Sequence, residues 1–225
     1  MAIVPAGGTG LRMGKSTPKQ FLMLQNKPIL IHTLQKLAAC SLVDNIILGV
    51  PESYIGETEK CLSDWPVQKV QRIVQGGRER QHTVYNALKV ADADASILFT
   101  HDAVRPMVSV RKIEEVIKKA RTEGAAILAV REKCTIKRVI SGMVSETVDR
   151  SDLWEIQTPQ AFRADWLREA YALAERENFA ATDDAMLVER MDRPVFVVEG
   201  EDRNIKITTP EDLRIAEALF ASESL

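Results

Sequence analysis

Short apolar runs alternate with segments of helical periodicity along the first 130 residues of this 225-residue chain. The runs that predict buried strands lie at residues 2–5, 45–50, 70–74, 96–100 and 125–130. The segments that carry apolar residues at helical spacing lie between them, near residues 28–39, 52–63, 79–91 and 110–123. This alternation predicts an α/β fold, a doubly wound, mostly parallel sheet with helices on both faces. Ligands of such sheets bind at the carboxyl ends of the strands.

The alternation changes after residue 130, where two strand-like runs meet at a turn. Residues 135–140 and 143–148 flank Ser141-Gly142, a sequence typical of a β-hairpin. Such a hairpin carries too little apolar surface to be stable alone, so we expect it to pack on another subunit or over the active site. The chain continues with two helical patterns, a strand and a last helix, near 164–177, 183–191, 194–199 and after Pro210. We therefore predict a single domain, 1–225, with a protruding β-hairpin arm, 133–152, that serves dimerisation.

Composition and charge restrict the partners of the chain. The formal net charge of −2 and the pI near 6.0 argue against nucleic acid, which attracts strongly basic surfaces. No apolar run approaches the ~20 residues of a transmembrane helix, and the N-terminus lacks the pattern of a signal peptide. The three cysteines and three histidines are dispersed, without disulfide or zinc spacing, which suits a reducing compartment. We therefore expect a cytoplasmic protein without a nucleic-acid or membrane partner.

A glycine-rich loop directly behind the first predicted strand is the strongest functional motif. It reads PAGGTGLRMGKS from Pro5 to Ser16. Successive backbone amides of small residues form a nest for phosphate oxygens. The small residues of this loop include Ala6, Gly7, Gly8 and Gly10. The loop therefore predicts that the chain binds the phosphates of a nucleotide.

Two common nucleotide-binding motifs almost match this loop. A Walker loop requires glycine at position 9, where Thr9 stands, and a dinucleotide fingerprint requires a small residue at position 13, where Met13 stands. Cations are dense instead, since Arg12, Lys15 and Lys19 lie close together. Arginine offers phosphate oxygens a planar fork and lysine a point charge, and both suit the charge of phosphoryl transfer. A solvated basic turn is the alternative interpretation.

Two later loops also follow predicted strands and therefore belong to the same edge of the sheet. In residues 75–83, the glycines permit close approach to a base or ribose, and Thr83 is a candidate partner for a base edge. In residues 101–106, Asp102 is a candidate ligand for Mg²⁺ or a sugar hydroxyl, and Arg105 for an anion. The alternatives are a turn or helix-capping role for Asp102 and a solvated Arg105.

Three other positions attract attention. Lys206 lies in a strand-like apolar stretch, where a lysine costs free energy unless an anion or carboxylate pairs with it. Thr182-Asp183-Asp184 is typical of a helix N-cap with an acidic first turn. His101, considered alone, is interpreted as structural.

Taken in order, these stretches resemble the 2-C-methyl-D-erythritol 4-phosphate cytidylyltransferase family. The stretches that carry the resemblance, between residue 2 and about residue 220, are PAGGTGLRMG…PKQFL, GGRERQHTV, HDAVRP, TIKRV…ETVDRSDLW, TPQAF, TDDA and NIKITTPEDL. The resemblance implies a glycosyltransferase A-like nucleotidyltransferase fold. It also implies transfer of CMP from CTP to 2-C-methyl-D-erythritol 4-phosphate, with Mg²⁺ as cofactor and pyrophosphate as the second product, in isoprenoid precursor synthesis.

The resemblance further implies a role for each matching residue. Those that act on the triphosphate and the transition state are Arg12, Lys19 and Lys206. Those that frame the nucleotide are Ala6, Gly7, Gly8, Gly10, Gly77 and Thr83. Those that position the acceptor are Asp102, Arg105, Thr135, Arg150, Thr158, Thr182 and again Lys206. The metal is implied to be held mostly through the CTP phosphates, with Asp102 as the protein's candidate ligand. In the family the arm reaches across a homodimer, so Thr135 and Arg150 would serve the neighbouring subunit's site.

The sequence departs from the family pattern at three positions. Gly7 stands where the family commonly has alanine, a small change because backbone amides make the contact. Arg78 stands where aspartate is common, which puts one route of base recognition in doubt. Cys134 replaces an aspartate, which affects the mouth of the acceptor site.

Three alternative functions remain open at this point. A cytidylyltransferase acting on ribitol 5-phosphate would share the AGG, PKQFL and HDAVRP stretches, whereas ETVDRSDLW and TDDA favour the methylerythritol enzyme. A non-catalytic nucleotide-binding regulatory protein would have lost Arg12, Lys19 or Lys206, and all three are present. A P-loop ATPase is disfavoured by Thr9.

Overall fold

The computed structural model describes residues 1–7 and 18–223, so Gly8, Gly10 and Arg12 of the glycine-rich loop lie outside the described residues. The strands are β1 (Ala2–Pro5), β2 (Met23–Leu24), β3 (Lys27–Pro28), β4 (Ile46–Val50), β5 (Val70–Gln75), β6 (Ile97–Thr100), β7 (Ala125–Arg131), β8 (Ile136–Ile140), β9 (Met143–Val148), β10 (Trp154–Arg163) and β11 (Phe196–Glu199). The helices are α1 (Ile29–Ala39), α2 (Ile55–Asp64), α3 (Arg80–Lys89), α4 (Val110–Glu123), α5 (Ala164–Glu177), α6 (Asp184–Glu189) and α7 (Pro210–Glu223), with 3₁₀ turns at Lys19–Phe21 and Glu52–Tyr54.

The predicted doubly wound, mostly parallel sheet is confirmed. Seven strands pair in the order β11-β7-β10-β6-β1-β4-β5. The neighbouring pairs are parallel except those of β10, which runs antiparallel to both β6 and β7. The five strands predicted in the first 130 residues all form, and the four helices predicted between them begin and end within a few residues of the expected positions.

Strand β10 is a strand that the sequence pattern did not predict. Its sequence, WEIQTPQAFR, interrupts the apolar pattern with two glutamines and a proline. Inside the sheet these glutamines find partners, since Gln160 donates to Asp183 (2.8 Å) and Gln157 to the carbonyl of Glu201 (3.0 Å). Buried polar side chains with partners are compatible with a central strand, but they remove the apolar run by which such a strand is recognised.

The two faces of the sheet are covered by different helices, because successive side chains of a strand point to opposite faces. Val4 of β1 lies in one apolar cluster, together with side chains of α1 and α4. Its neighbour Ile3 lies in the other cluster, together with side chains of α3 and α5. Both side chains are fully buried. The helices thus cover the faces of the sheet, so a ligand site is expected at the loops that follow the strand ends.

The predicted β-hairpin is confirmed as β8 and β9, which form a two-stranded sheet separate from the central one. Ile140 lies opposite Met143, and Val139 lies opposite Val144, on either side of the turn. These four apolar side chains are exposed, from 55% for Val139 to 72% for Met143. The use of this arm in dimerisation stays a prediction.

The stretch around Lys206 forms no strand, and here the sequence prediction was wrong. It is an irregular connection, held by a hydrogen bond from the Ile207 amide to the Val104 carbonyl (2.9 Å). Ile207 is buried in a third apolar cluster with Val104 and with Ala216 of α7. Its apolar pattern therefore reflects packing against α7 and not pairing within a sheet.

The longest helices within the described ranges, 1–7 and 18–223, have 14 residues. A helix needs ~20 apolar residues to cross the hydrocarbon core of a bilayer. None of the described helices meets the length and apolarity required of a membrane span.

Candidate active site

A cavity of about 280 Å³ opens at the carboxyl edge of the sheet, where the connections that follow β1, β5 and β6 meet. Its walls combine the first residues of one glycine loop, the second glycine loop and the segment that follows β6. The predicted site residues that line it are Ala6, Gly7, Lys19, Gly77, Thr83, Asp102 and Lys206. The cavity therefore has the position expected of a ligand site in a doubly wound sheet.

Gln20 fixes the start of the first glycine loop. Its buried side chain donates to the Ala6 carbonyl (2.7 Å), while the Ala6 amide donates to the Gly49 carbonyl (2.7 Å). Ala6 is thus held through both of its backbone polar groups, and Gly7 follows it in the cavity wall. Sequence reasoning assigned no role to Gln20, although it lies in the PKQFL stretch of the resemblance.

Thr83 joins the two glycine loops. Its hydroxyl accepts a hydrogen bond from the Gly77 amide (3.1 Å) and donates to the Glu79 carbonyl (3.1 Å). A Cβ atom at Gly7 would lie 3.3 Å from the same hydroxyl, and a Cβ atom at Gly77 would lie 2.2 Å from Cβ of His82. Both glycines therefore permit a close approach that a side chain would obstruct. The Thr83 hydroxyl shapes the loop, in addition to any contact with a base.

Asp102 lies in the cavity wall among three cations. Its Oδ1 accepts from Nε of Arg80 (3.1 Å), and its Oδ2 contacts Nζ of Lys206 (2.9 Å) and Nε of Arg105 (3.4 Å). Burial alone would raise the pKa of this carboxyl, but the charges of Arg80, Lys206 and Arg105 hold the pKa far below its ordinary value. Asp102 is therefore ionised at neutral pH, and the cluster keeps a net positive charge that suits anionic ligands.

His101 supports Asp102 from inside the protein, as its structural interpretation predicted. The Asp102 amide donates to the Thr158 hydroxyl (3.0 Å), which in turn contacts Nδ1 of His101 (3.1 Å). Nε2 of His101 lies 3.1 Å from the Arg105 carbonyl, so Nε2 carries the proton and Nδ1 accepts from Thr158. Burial lowers the pKa of His101 to about 4, which keeps the imidazole neutral. Thr158, predicted to bind the acceptor, lies buried beneath Asp102.

Arg105 and Asn204 fasten the segment that carries Lys206. Arg105 is buried and donates from Nη1 to the Asn204 carbonyl (2.7 Å). The Asn204 side chain donates to the Thr158 carbonyl (2.9 Å) and to Oε1 of Gln157 (3.0 Å). This segment is thereby tied to β10, and Lys206 is placed beside Asp102. Asn204 and Gln157 were missed as functional residues, because their partners are distant in the sequence.

The sequence as a whole matches one known family. A sequence model described as 2-C-methyl-D-erythritol 4-phosphate cytidylyltransferase matches residues 1–222. The chain belongs to this family. It is therefore a cytidylyltransferase of isoprenoid precursor synthesis, and the resemblance found in the ordered motifs is confirmed.

The chain matches individual members of the cytidylyltransferase family over nearly their full length. The chain is 44% identical to the 2-C-methyl-D-erythritol 4-phosphate cytidylyltransferase of Bacillus velezensis, over 100% of this chain and 97% of the relative. It is 45% identical to that of Geobacillus thermodenitrificans, over 98% and 96%. The crystal structure of the Francisella tularensis enzyme superimposes with a TM-score of 0.82 at 34% identity, covering 96% of this chain and 97% of that one. The 4-diphosphocytidyl-2C-methyl-D-erythritol synthase of Anaerococcus prevotii gives a TM-score of 0.86 at 32% identity, covering 98% and 95%.

Three positions implied by the family resemblance lie away from the cavity of the single chain. Thr135 and Arg150 are exposed at the base of the arm, where Arg150 donates to the Lys133 carbonyl. Thr182 is exposed, with its hydroxyl 3.7 Å from Sδ of Met186. The cap of α6 is Asp183, whose carboxylate accepts from the Met186 amide (3.0 Å), so the predicted N-cap is confirmed there.

The departures from the family pattern fall at two different places. Arg78 is exposed and lines the cavity beside Gly77, so it supplies a cation where the family commonly has a carboxylate. Cys134 is exposed at the base of the arm, and its amide donates to Glu132 (2.5 Å). Arg78 therefore changes the charge of the cavity itself.

The described residues offer few ligands to the Mg²⁺ that the family resemblance implies. Within residues 1–7 and 18–223, no group of three or more His, Cys, Asp or Glu side chains is arranged to hold a metal ion. Both oxygens of Asp102 contact cations. Mg²⁺ prefers several oxygen ligands and commonly takes them from substrate phosphates. The described side chains do not fit a Mg²⁺ site of their own.

Proposed function

We propose that the cavity at the carboxyl edge of the sheet binds CTP against its two glycine loops and 2-C-methyl-D-erythritol 4-phosphate against Asp102 and Lys206. The CMP group then passes to the acceptor phosphate, giving 4-diphosphocytidyl-2-C-methyl-D-erythritol and pyrophosphate. The observation that carries this proposal is the cationic cluster around Asp102, which shares one cavity with both glycine loops.

The chemistry follows from charge. The acceptor phosphate is an anion at neutral pH, so it attacks the α-phosphorus of CTP without a strong general base. The barrier arises from bringing two polyanions together and from the charge of the crowded phosphorus centre. Fixed cations lower such a barrier because they are already oriented when the charge develops. This role falls to Arg12, Lys19 and Lys206.

Lys206 is well suited to this role. Its side chain is 40% exposed, whereas its partner Asp102 is only 8% exposed, so the ammonium reaches ligands in the cavity. The contact with Asp102 at 2.9 Å limits where that ammonium lies. Lys19 lines the same cavity from the opposite end of the chain. A pair of lysines on one cavity suits two phosphate-bearing substrates.

CTP is proposed to bind the two glycine loops together with Mg²⁺. We assign the backbone of Ala6, Gly7, Gly8 and Gly10 to the phosphates and ribose of CTP, and Gly77 and Thr83 to the cytosine. The position of Gly77 and Thr83 in the cavity wall supports this assignment, and the close packing of Gly77 on His82 fixes the course of the loop there. Mg²⁺ is proposed as the cofactor that accompanies CTP, held through the phosphate oxygens.

The acceptor site is proposed to involve two chains. In one subunit Asp102 lines the cavity, buried Arg105 and Thr158 hold it in place, and exposed Thr182 lies outside the cavity of the single chain. Thr135 and Arg150 are proposed to reach the site of the neighbouring subunit in a homodimer. The exposed apolar tip of the arm supports this assembly, because apolar surface of this kind marks interfaces. The free thiols of Cys40, Cys61 and Cys134 support a reducing, cytoplasmic location.

Pyrophosphate release in the presence of CTP and Mg²⁺ tests the function. 2-C-methyl-D-erythritol 4-phosphate should be the preferred acceptor, and faster turnover of ribitol 5-phosphate would contradict the proposal. Lys19→Ala should lower kcat/KM by at least about 100-fold, since it removes one fixed cation from the transition state. Lys118→Ala is the matched control, because Lys118 is exposed on α4 and pairs with Glu114. Equal activity of the two variants would refute the role of Lys19.

A further inference from the structure

One guanidinium joins the cavity to a carboxylate that lies outside it. Arg80, the first residue of α3, donates from Nε to Oδ1 of Asp102 (3.1 Å) and from Nη2 to Oδ2 of Asp184 (2.7 Å). Asp102 lines the cavity, whereas Asp184, at the start of α6, is fully buried. Arg80 lines the cavity as well, and it connects Asp102 in the cavity wall with Asp184 outside it.

Asp184 is surrounded by protein donors. Its Oδ2 also accepts from the Thr100 hydroxyl (2.6 Å), and its Oδ1 accepts from the Tyr171 hydroxyl. The Asp184 amide donates to Oε1 of Gln160 (3.2 Å). Burial, and then the charge of Asp184, raise the pKa of Tyr171 well above its ordinary value, so this phenol keeps its proton and donates. The anchor of Arg80 is thus built from β6, β10, α5 and α6.

A gain in stability does not by itself explain this arrangement. Buried ion pairs add little net stability once desolvation is counted, and apolar residues of similar size commonly replace them without loss. A planar guanidinium, however, holds two carboxylates in fixed directions, which a lysine ammonium does not do. With Nη2 on Asp184, Arg80 presents Nε to Oδ1 of Asp102, while Lys206 and Arg105 contact Oδ2. The plane of the Asp102 carboxylate is thereby fixed from both sides.

We propose that Arg80 is a positioning residue of the transfer reaction, which is anchored by buried Asp184 and orients the Asp102 carboxylate toward the hydroxyl groups of the acceptor. This inference rests on the proposed role of Asp102 in binding the acceptor. Arg80 lines the cavity, but its guanidinium is shared between two carboxylates, so we assign its action to Asp102 and not to the CTP phosphates. Loss of the anchor therefore weakens the use of the acceptor and leaves the use of CTP intact.

Steady-state kinetics of Arg80→Lys, Asp102→Asn and the double variant test this role. Arg80→Lys keeps the charge but loses the fork, so the KM for 2-C-methyl-D-erythritol 4-phosphate should rise at least about tenfold. The KM for CTP should stay within about threefold of the original value. In the Asp102→Asn background, Arg80→Lys should add no further loss, because its route to the acceptor is already removed.

Tyr171→Phe is a milder variant that keeps the test decisive if Arg80→Lys does not fold. It removes a single hydrogen bond from Asp184 and should raise the KM for the acceptor about threefold, with the KM for CTP unchanged. Tyr85→Phe is the matched control, because it removes a hydroxyl from a neighbouring ring that stacks on Tyr171, with the ring centroids 6.1 Å apart. It should change neither KM.

Three results would overturn the inference. A KM for CTP that rises in step with the KM for the acceptor would assign Arg80 to the nucleotide. Additive losses in the double variant would show that Arg80 acts independently of Asp102. An unchanged KM for the acceptor in Asp102→Asn alone would remove the role of Asp102 in the proposed function, and it would thereby remove the basis of the inference. The first two results leave that proposed function intact, so the two failures are distinguishable.

Discussion

Replacing Ile140 and Met143 by serine is expected to separate the proposed dimer. The two residues lie opposite each other at the tip of the arm and are 60% and 72% exposed in the single chain. Val139 and Val144 form the next pair, which points to the other face of the hairpin because successive side chains of a strand alternate. The tip is therefore apolar on both faces, as expected if it inserts into a partner and does not rest on one.

The size of the effect follows from the area that the partner would cover. Full burial of an isoleucine or methionine side chain is worth about 1.5–3 kcal/mol, so two side chains that are roughly two-thirds exposed contribute about 3 kcal/mol. A two-fold symmetric dimer contains the arm twice, which gives about 6 kcal/mol per dimer. Because 1.4 kcal/mol changes an equilibrium constant tenfold, the dissociation constant should rise about 10⁴-fold.

Sedimentation equilibrium measures this change, and pyrophosphate release measured against protein concentration links it to activity. Activity per chain should fall as the variant dissociates, because Thr135 and Arg150 would no longer reach the neighbouring site. Lys137→Ser is the matched control, since it changes an exposed residue of β8 but keeps the apolar tip. A variant that sediments like the original protein would refute the role of the tip in the interface. A monomeric variant with full activity per chain would refute the shared site.

Two further predictions concern the second glycine loop and the dependence of stability on pH. Gly77→Ala places a Cβ atom 2.2 Å from Cβ of His82, so the loop must shift and the KM for CTP should rise about tenfold or more. Gly56→Ala is the control, because nothing lies within 4 Å of the added atom. It should leave the KM for CTP unchanged and stabilise α2 by about 0.5–1 kcal/mol. An equal rise in the KM for CTP in both variants would refute the argument. Burial lowers the pKa of His101 to about 4 and also lowers that of His32, so below about pH 6.5 the unfolded chain binds more protons than the folded one. The free energy of unfolding should therefore fall between pH 6.5 and 4, by about 3 kcal/mol from His101 alone. When this free energy is measured by urea titration and plotted against pH, the plot for His101→Gln should have a smaller slope than that for the original protein over this range. Parallel pH profiles would contradict this account.

Much of the fold could be predicted because its signals are local. The strands at residues 2–5 and 125–130 are apolar runs, and the helices between such runs carry their apolar residues on one face. The hairpin followed from a turn signal between two strand-like runs. Strand β10 could not be predicted in the same way, because Gln157 and Gln160 are satisfied by residues distant in the sequence. The strand predicted around Lys206 does not form, because the apolar residues of that stretch pack on α7 without joining a sheet.

The candidate site was likewise predicted only in part. Glycine loops and cations behind predicted strands indicated where the cavity lies, because parallel strands bring their carboxyl ends to one edge. The sequence did not indicate that Gln20 reaches back to Ala6, or that Arg80 bridges Asp102 and Asp184. Such contacts depend on the relative placement of elements that no local pattern specifies.

The sequence by itself therefore determined the alternation of strands and helices over the first 130 residues, the edge of the sheet at which the cavity opens and, through its ordered motifs, the family. The tertiary structure alone decided how each site residue is held. His101 is neutral because it is buried between Thr158 and the Arg105 carbonyl, and Asp102 is ionised because Arg80, Lys206 and Arg105 surround it. The physical reason is that periodicity reports burial of apolar surface, which is a property of short segments. The ionisation and orientation of polar groups depend on neighbours brought together only by folding.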